Sequence, residues 1–158
     1  MKVHVLRHTQ VLPYQLHDLF PFFEKPENLA LITPAGLGFV ILTPSPIVMN
    51  VGTLIDYTIA VAGVRLRWTT LITTYNPPYE FVDEQLRGPY AFWFHRHLFK
   101  PVPGGTEMTD RVHYALPFGP LGALAHLLFV KRQVRGIFEY RTKVLGGVLA
   151  RVMPGNIA

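Results

Sequence analysis

The chain has 158 residues, 49% of them hydrophobic and only 16% charged, with mean hydropathy +0.24; that is one domain's worth of core-forming sequence, and it excludes intrinsic disorder. There is no cysteine and a single serine, Ser45, held between Pro44 and Pro46, which excludes disulfides, thiolate nucleophiles and cysteine metal sites and argues against serine-hydrolase chemistry. The net charge of +5 lies entirely in residues 121–158, where Lys131, Arg132, Arg135, Arg141, Lys143 and Arg151 face Glu139 alone.

In chain order, residues 2–11 read as a strand with Val3, Val5, Thr9 and Val11 on one side. Pro13 is expected to open a short helix to about Phe23, and Pro26 a second one through Leu31. A Pro/Gly-rich stretch from Thr33 to Gly52 holds a short strand near Phe39 to Thr43. Five strands follow at 53–61, 64–75, 79–87, 91–102 and 105–116. They are separated by the turn signals Ala62-Gly63, Asn76-Pro77-Pro78, Gly88-Pro89 and Pro103-Gly104-Gly105. From Leu121 onward Leu124, Leu127, Val130, Val134, Ile137, Val144 and Val148 recur at helical spacing, predicting one covering helix of about 30 residues. The longest nearly continuous apolar run, Leu121 to Val130, is interrupted by His126 and too short for the roughly 20 residues of a membrane span. The charged N-terminus lacks the apolar centre of a signal peptide, so a cytoplasmic location is expected. The order predicts an α+β fold: a curved antiparallel sheet of about seven strands around one long C-terminal helix, with two short helices after the first strand, and residues 1–158 as a single unit.

The turns fix the strand registers. A turn at Ala62-Gly63 pairs Tyr57 with Trp68; one at Pro77-Pro78 pairs Thr70 with Gln85 and Ile72 with Asp83. Gly88-Pro89-Tyr90 pairs Gln85 with Trp93, Asp83 with His95 and Phe81 with His97, and Pro103-Gly104 pairs His97 with Asp110 and Trp93 with Tyr114. One sheet face then carries Tyr57, Trp68, Phe81, Asp83, Gln85, Trp93, His95, His97, Asp110 and Tyr114. The other carries Asp56, Arg65, Arg67, Glu84, Arg96, Lys100, Glu107 and Arg111, and long charged side chains place that second face in water. An aromatic inner face with a few polar groups has the make-up of a ligand pocket.

Pro26-Glu27-Asn28-Leu29, Ile32-Thr33-Pro34, Phe81-Val82-Asp83-Glu84-Gln85, Gly88-Pro89-Tyr90, Trp93-Phe94-His95-Arg96-His97 and Gly105-Thr106 to Asp110 resemble small stand-alone bacterial members of the helix-grip, or START-related, superfamily. That superfamily includes birch-pollen-allergen-like proteins and the polyketide cyclase/dehydrase and lipid-transport group. The resemblance spans nearly the whole chain and implies a cavity between sheet and helix for an apolar or amphipathic small molecule such as a lipid, quinone or polyketide-like aromatic. No catalytic motif of the cyclase members maps residue by residue onto this chain.

Within that inner face, Asp83, His95, His97 and Asp110 are the candidate catalytic or recognition groups. They are open to three readings: a satisfied His–Asp network offering hydrogen bonds to a ligand, a histidine acid or base in a cofactor-free cyclase or dehydratase, or a metal site. Neighbouring ladder positions favour direct His–Asp hydrogen bonds, which ranks metal last; no cofactor or metal is expected. Tyr57, Trp68, Trp93 and Tyr114 suit a flat ligand. Arg141, between Ile137 and Val144, is expected to snorkel to the helix edge, with pairing to an inward carboxylate or to an acidic group on a ligand as alternatives. The basic tail segment reads as a solvated helix face or a contact for an anionic membrane surface, and without any nucleic-acid motif no nucleic-acid partner is expected.

Overall fold

The computed structural model describes residues 1–61 and 63–155. Strand β1 (His4–Leu12) is followed by helix α1 (Leu16–Phe23), by two 3-10 turns (Pro26–Ile32 and Ala35–Leu37) and by β2 (Val40–Ile41). Then come β3 (Leu54–Val61), β4 (Val64–Asn76), β5 (Glu80–Arg87), β6 (Phe92–Val102) and β7 (Gly105–Ala115). Helix α2 (Gly119–Ala125), a π-helical turn (His126–Val130) and α3 (Lys131–Val152) run on as one long helix. The seven strands form one antiparallel sheet in the order β1-β7-β6-β5-β4-β3-β2. No helix among the described residues is long and apolar enough to cross a membrane.

The predicted registers hold: Tyr57 pairs with Trp68, Thr70 with Gln85, Asp83 with His95, Phe81 with His97, His97 with Asp110 and Trp93 with Tyr114. The β5–β6 ladder ends at Glu84 and Phe94, one pair short of the expected Gln85–Trp93. Ala62, half of one predicted turn, lies outside the described residues. Two register shifts in β4, between Thr69 and Thr70 and between Ile72 and Thr74, are the bulges that bend the long hairpins around the helix. The charged face is outside, where Arg67 pairs with Asp56 at 2.9 Å and Arg96 with Glu80.

Several expected boundaries move. Pro13 does not open α1; the chain first makes a turn in which the Tyr14 carbonyl accepts the buried Thr106 hydroxyl at 2.8 Å, so the helix starts only after Gln15. The second expected helix is a 3-10 turn, and the strand near Phe39 shrinks to two residues. The β1 side bearing Val3, Val5 and Val11 faces solvent, because pairing with β7 turns Leu6 toward the fully buried Val112 and His8 toward Asp110.

The largest departure is in the covering helix. Val130, Val134, Phe138, Leu145, Val148 and Leu149 pack onto the sheet and α1, but Leu124 and Leu127, expected on the same stripe, are exposed. The π-helical turn changes the residues per turn, so a stripe extrapolated backward at uniform spacing lands on the wrong face. α2 instead approaches the sheet's exit through Gly122, where a Cβ would collide with the Pro117 carbonyl oxygen.

Candidate functional site

Between sheet and helix lies a cavity of about 440 Å³, within the usual range for small-molecule sites. Its wall is largely aromatic. Trp68 stands perpendicular to Trp93 with ring centroids 5.2 Å apart and stacks on Tyr57 at 5.8 Å. Tyr90 closes the group at 4.8 Å from Trp93.

The polar end is built on three adjacent strands. His95 and His97, two apart on β6, point inward together; Asp83 comes from β5 and Asp110 from β7. The shortest contacts do not follow the ladder pairs. His97 Nε2 lies 2.8 Å from Asp83 Oδ2, and His95 Nε2 lies 2.8 Å from Asp110 Oδ1. Directly paired residues sit too close for a carboxylate and an imidazole to meet end to end, so each ring leans along the strand to the diagonal partner. The remaining ring nitrogens complete a square: His95 Nδ1 is 3.4 Å from Asp83 Oδ2, and His97 Nδ1 is 3.1 Å from Asp110 Oδ1 but out of line for a hydrogen bond.

This geometry divides the charges. Burial alone would raise Asp110, but the hydrogen bond from His95 and the close approach of His97 hold it far below the usual carboxylate range. Asp83 is likewise lowered against its burial, by His95, His97 and Arg141. Burial pushes His95 down, reinforced by the neighbouring His97, whose ring centroid is 3.7 Å away. His97 moves the other way, since the nearby Asp110 carboxylate and the hydrogen bond and charge of Asp83 outweigh its desolvation. An ionised carboxylate only accepts hydrogen bonds, so His95 donates through Nε2 and, neutral, keeps a lone pair on Nδ1. That accounts for its longer approach to Asp83.

Arg141 does not snorkel. It lies three residues after Phe138 and four before Leu145, both buried, so its stem points onto the sheet. Its guanidinium carbon sits 5.1 Å from the Phe138 ring centroid and the side chain lines the cavity. Burial lowers its pKa while Asp110 and Asp83 oppose that shift; an arginine there keeps its charge. Among the described residues Arg141 makes no hydrogen bond or ion pair, and its Nε is buried without a partner. The positive charge of Arg141, joined by that of His97 when it holds its second proton, opposes the two carboxylates. Trp68 Nε1 is a second buried donor without a partner.

Of the residues expected to meet a ligand, Tyr57, Trp68, Phe81, Asp83, Trp93, His95, His97 and Arg141 line the cavity; Gln85, Asp110 and Tyr114 do not. Gln85 is spent on the β5–β6 turn, donating to the Tyr90 carbonyl at 2.8 Å and accepting from the Tyr90 amide at 3.2 Å. Asp110 sits behind the histidines at 1% exposure. The Tyr114 hydroxyl meets His126 Nε2 at 3.0 Å, where the π-helical turn of the covering helix begins. Phe39, Tyr90, Phe129 and Phe138 also line the cavity, although the predicted inner-face set does not include them. Tyr90 and Phe39 lie beside turns, Phe129 lies in the π-helical turn, and Phe138 falls on the buried stripe beside Ile137.

Asp83, His95 and His97 each offer one ligand atom, all within 4.8 Å of one another, as a metal site would require. The His97–Asp83 contact at 2.8 Å has hydrogen-bond spacing, shorter than the roughly 3.3 Å between ligand atoms of a tetrahedral zinc with bonds near 2.0 Å.

No protein-family model matches the chain, and no curated protein does. Among solved structures it is similar to TTHA0849 from Thermus thermophilus (14% identity, 95% of this chain and 99% of that one, TM-score 0.76). It is similar to a START superfamily protein from Mycobacterium smegmatis (15%, 95% and 99%, TM-score 0.71). The major latex-like protein 151 of Panax ginseng aligns over 85% of this chain and 96% of its own at 14% identity, with TM-score 0.57. The chain therefore has the START-type helix-grip fold.

Proposed function

We propose that this protein binds or carries an amphipathic small molecule whose flat apolar body lies against the aromatic wall and whose acidic or strongly hydrogen-bond-accepting head meets Arg141. The observation that carries this reading is the pair of buried donors, Arg141 Nε and Trp68 Nε1, left without partners beside an aromatic cavity. An unmatched buried donor costs about 1–3 kcal/mol, so an arriving acceptor is strongly favoured. Lipids, quinones and polyketide-like aromatics with an acidic or carbonyl group fit this description. A fluorescence titration with 1-anilinonaphthalene-8-sulfonate and its uncharged relative N-phenyl-1-naphthylamine tests it. The sulfonate is expected to bind at one site at least about tenfold tighter, in line with about 1.4 kcal/mol or more from one charged contact. Equal affinity, or preference for the uncharged probe, would remove Arg141 from the reading.

A second reading rests on His95. A neutral imidazole that lines the cavity and donates its other nitrogen to a buried carboxylate is arranged as a general base for proton abstraction next to a carbonyl, as a cyclase or dehydratase uses. His95→Gln would then abolish turnover of a poly-β-keto substrate while leaving its binding intact. Turnover that survives this substitution, or that no such substrate elicits in the wild type, rules it out.

A further inference from the structure

The lip of the cavity carries an apolar ridge that the ligand site does not use. Phe118, Leu121, Leu124, Leu127, Leu128 and Phe129 are each between 53% and 80% exposed. Leu121 and Leu124 share one face of α2 at i and i+3, and Leu127, Leu128 and Phe129 follow on the π-helical turn. So many large apolar side chains exposed along two or three helical turns mark a contact surface rather than scattered surface residues. Phe118, Leu121 and Phe129 also line the cavity, so ridge and mouth are continuous.

The charge around the ridge is of one sign. Lys131, Arg132 and Arg135 follow it, all exposed or partly so, and there is no Asp or Glu between Asp110 and Glu139. Lys2 lines a shallow hollow together with Phe118 and Ala123, and exposed Lys25 lines the cavity.

From this we infer that residues 118–135 dock on an anionic lipid bilayer, the apolar ridge entering the interface and the basic residues meeting lipid headgroups, so that the cavity mouth opens onto the membrane. The inference rests on the ligand-cavity reading for its purpose and adds a source or destination for the ligand. A second copy of the chain is the less favoured occupant. A two-fold contact through this face would bring together two surfaces of the same positive sign, whereas anionic headgroups neutralise Lys131, Arg132 and Arg135. An apolar face edged by Lys and Arg is the pattern of an interfacial helix, and each basic residue adds to the attraction of an anionic surface.

The test is co-sedimentation of the full chain with vesicles of phosphatidylcholine alone and of phosphatidylcholine mixed with phosphatidylglycerol. Binding to the anionic vesicles and not to the neutral ones is expected, weakening several-fold in about 0.5 M salt. Leu124 and Leu128 do not line the cavity, so Leu124→Ser with Leu128→Ser should lower vesicle binding at least tenfold and leave affinity for the anilinonaphthalene sulfonate unchanged. Arg141→Met should do the reverse, so failure of the dock and failure of the ligand site read out separately. No binding to anionic vesicles, or binding indifferent to both charge and the leucine pair, overturns the inference. Concentration-dependent dimerisation that the leucine pair abolishes, without vesicle binding, overturns it in favour of a second copy.

Discussion

Asp110→Asn is expected to lower the folding free energy by about 3 kcal/mol or more, because it removes the carboxylate that two buried histidines share and leaves His97 without half of its counter-charge. For a chain of this size that corresponds to a fall in melting temperature of roughly 6–12 °C. The pH profile should change shape as well. In the wild type, His97 titrates above its unfolded value and His95 below. The stability from His97 is complete below the unfolded histidine pKa and is lost as pH rises through its native pKa. His95 acts oppositely: the unfolded chain binds its proton first, so stability is lost as pH falls below the unfolded value. Further into acid, the lowered Asp83 and Asp110 withdraw their contribution below about pH 4. Stability should therefore peak near pH 6.5 and decline on both sides. In Asp110→Asn the alkaline decline should shrink, since His97 keeps its hydrogen bond to Asp83 but loses the charge of Asp110. Melting curves across pH, with histidine titrations by NMR, would show this. A variant within about 2 °C of wild type, with His97 unmoved, would mean that Asp110 does not stabilise the two histidines.

Arg141→Met is expected to weaken binding of the anilinonaphthalene sulfonate about 10- to 100-fold, the worth of one hydrogen bond to a charged group, and to leave the uncharged probe within a factor of about three. The fold should survive, because the guanidinium makes no protein hydrogen bond whose loss would strand a partner among the described residues. Removing its positive charge leaves Asp83 and Asp110 opposed by His97 alone, so His95 should take up a proton at higher pH than in the wild type. A loss of affinity shared equally by both probes would instead indicate that Arg141 shapes the cavity without recognising a head group.

The strand registers are legible in the sequence because each hairpin announces its turn and a one-residue slip would drive Arg65, Arg67 and Arg96 into the interior. Asp83, His95, His97 and Asp110 can therefore be grouped from sequence. Which carboxylate each imidazole bonds is not legible, since the diagonal pairing depends on how rings lean along a twisted sheet. Arg141 reads outward by the general habit of long basic side chains. Its helix position, three residues after buried Phe138 and four before buried Leu145, turns it inward, and that local spacing outweighs the general habit. Leu124 and Leu127 read inward on a uniform helical period, and the π-helical turn at His126–Val130 defeats any such extrapolation. The apolar excess of the sequence is thus divided between the aromatic wall and an exposed ridge at its mouth.

On the proposed reading, a flat acidic molecule in the cavity meets both unpartnered donors, Arg141 Nε and Trp68 Nε1. The most direct measurement of this is the titration of the ¹⁵N-labelled protein with 1-anilinonaphthalene-8-sulfonate, following the Arg141 Nε–H and Trp68 Nε1–H resonances. Both should shift and saturate together at one equivalent, with smaller changes at Leu124 and Leu128. Saturable probe binding that leaves these two resonances unmoved, or that perturbs only the leucines of the ridge, would contradict it.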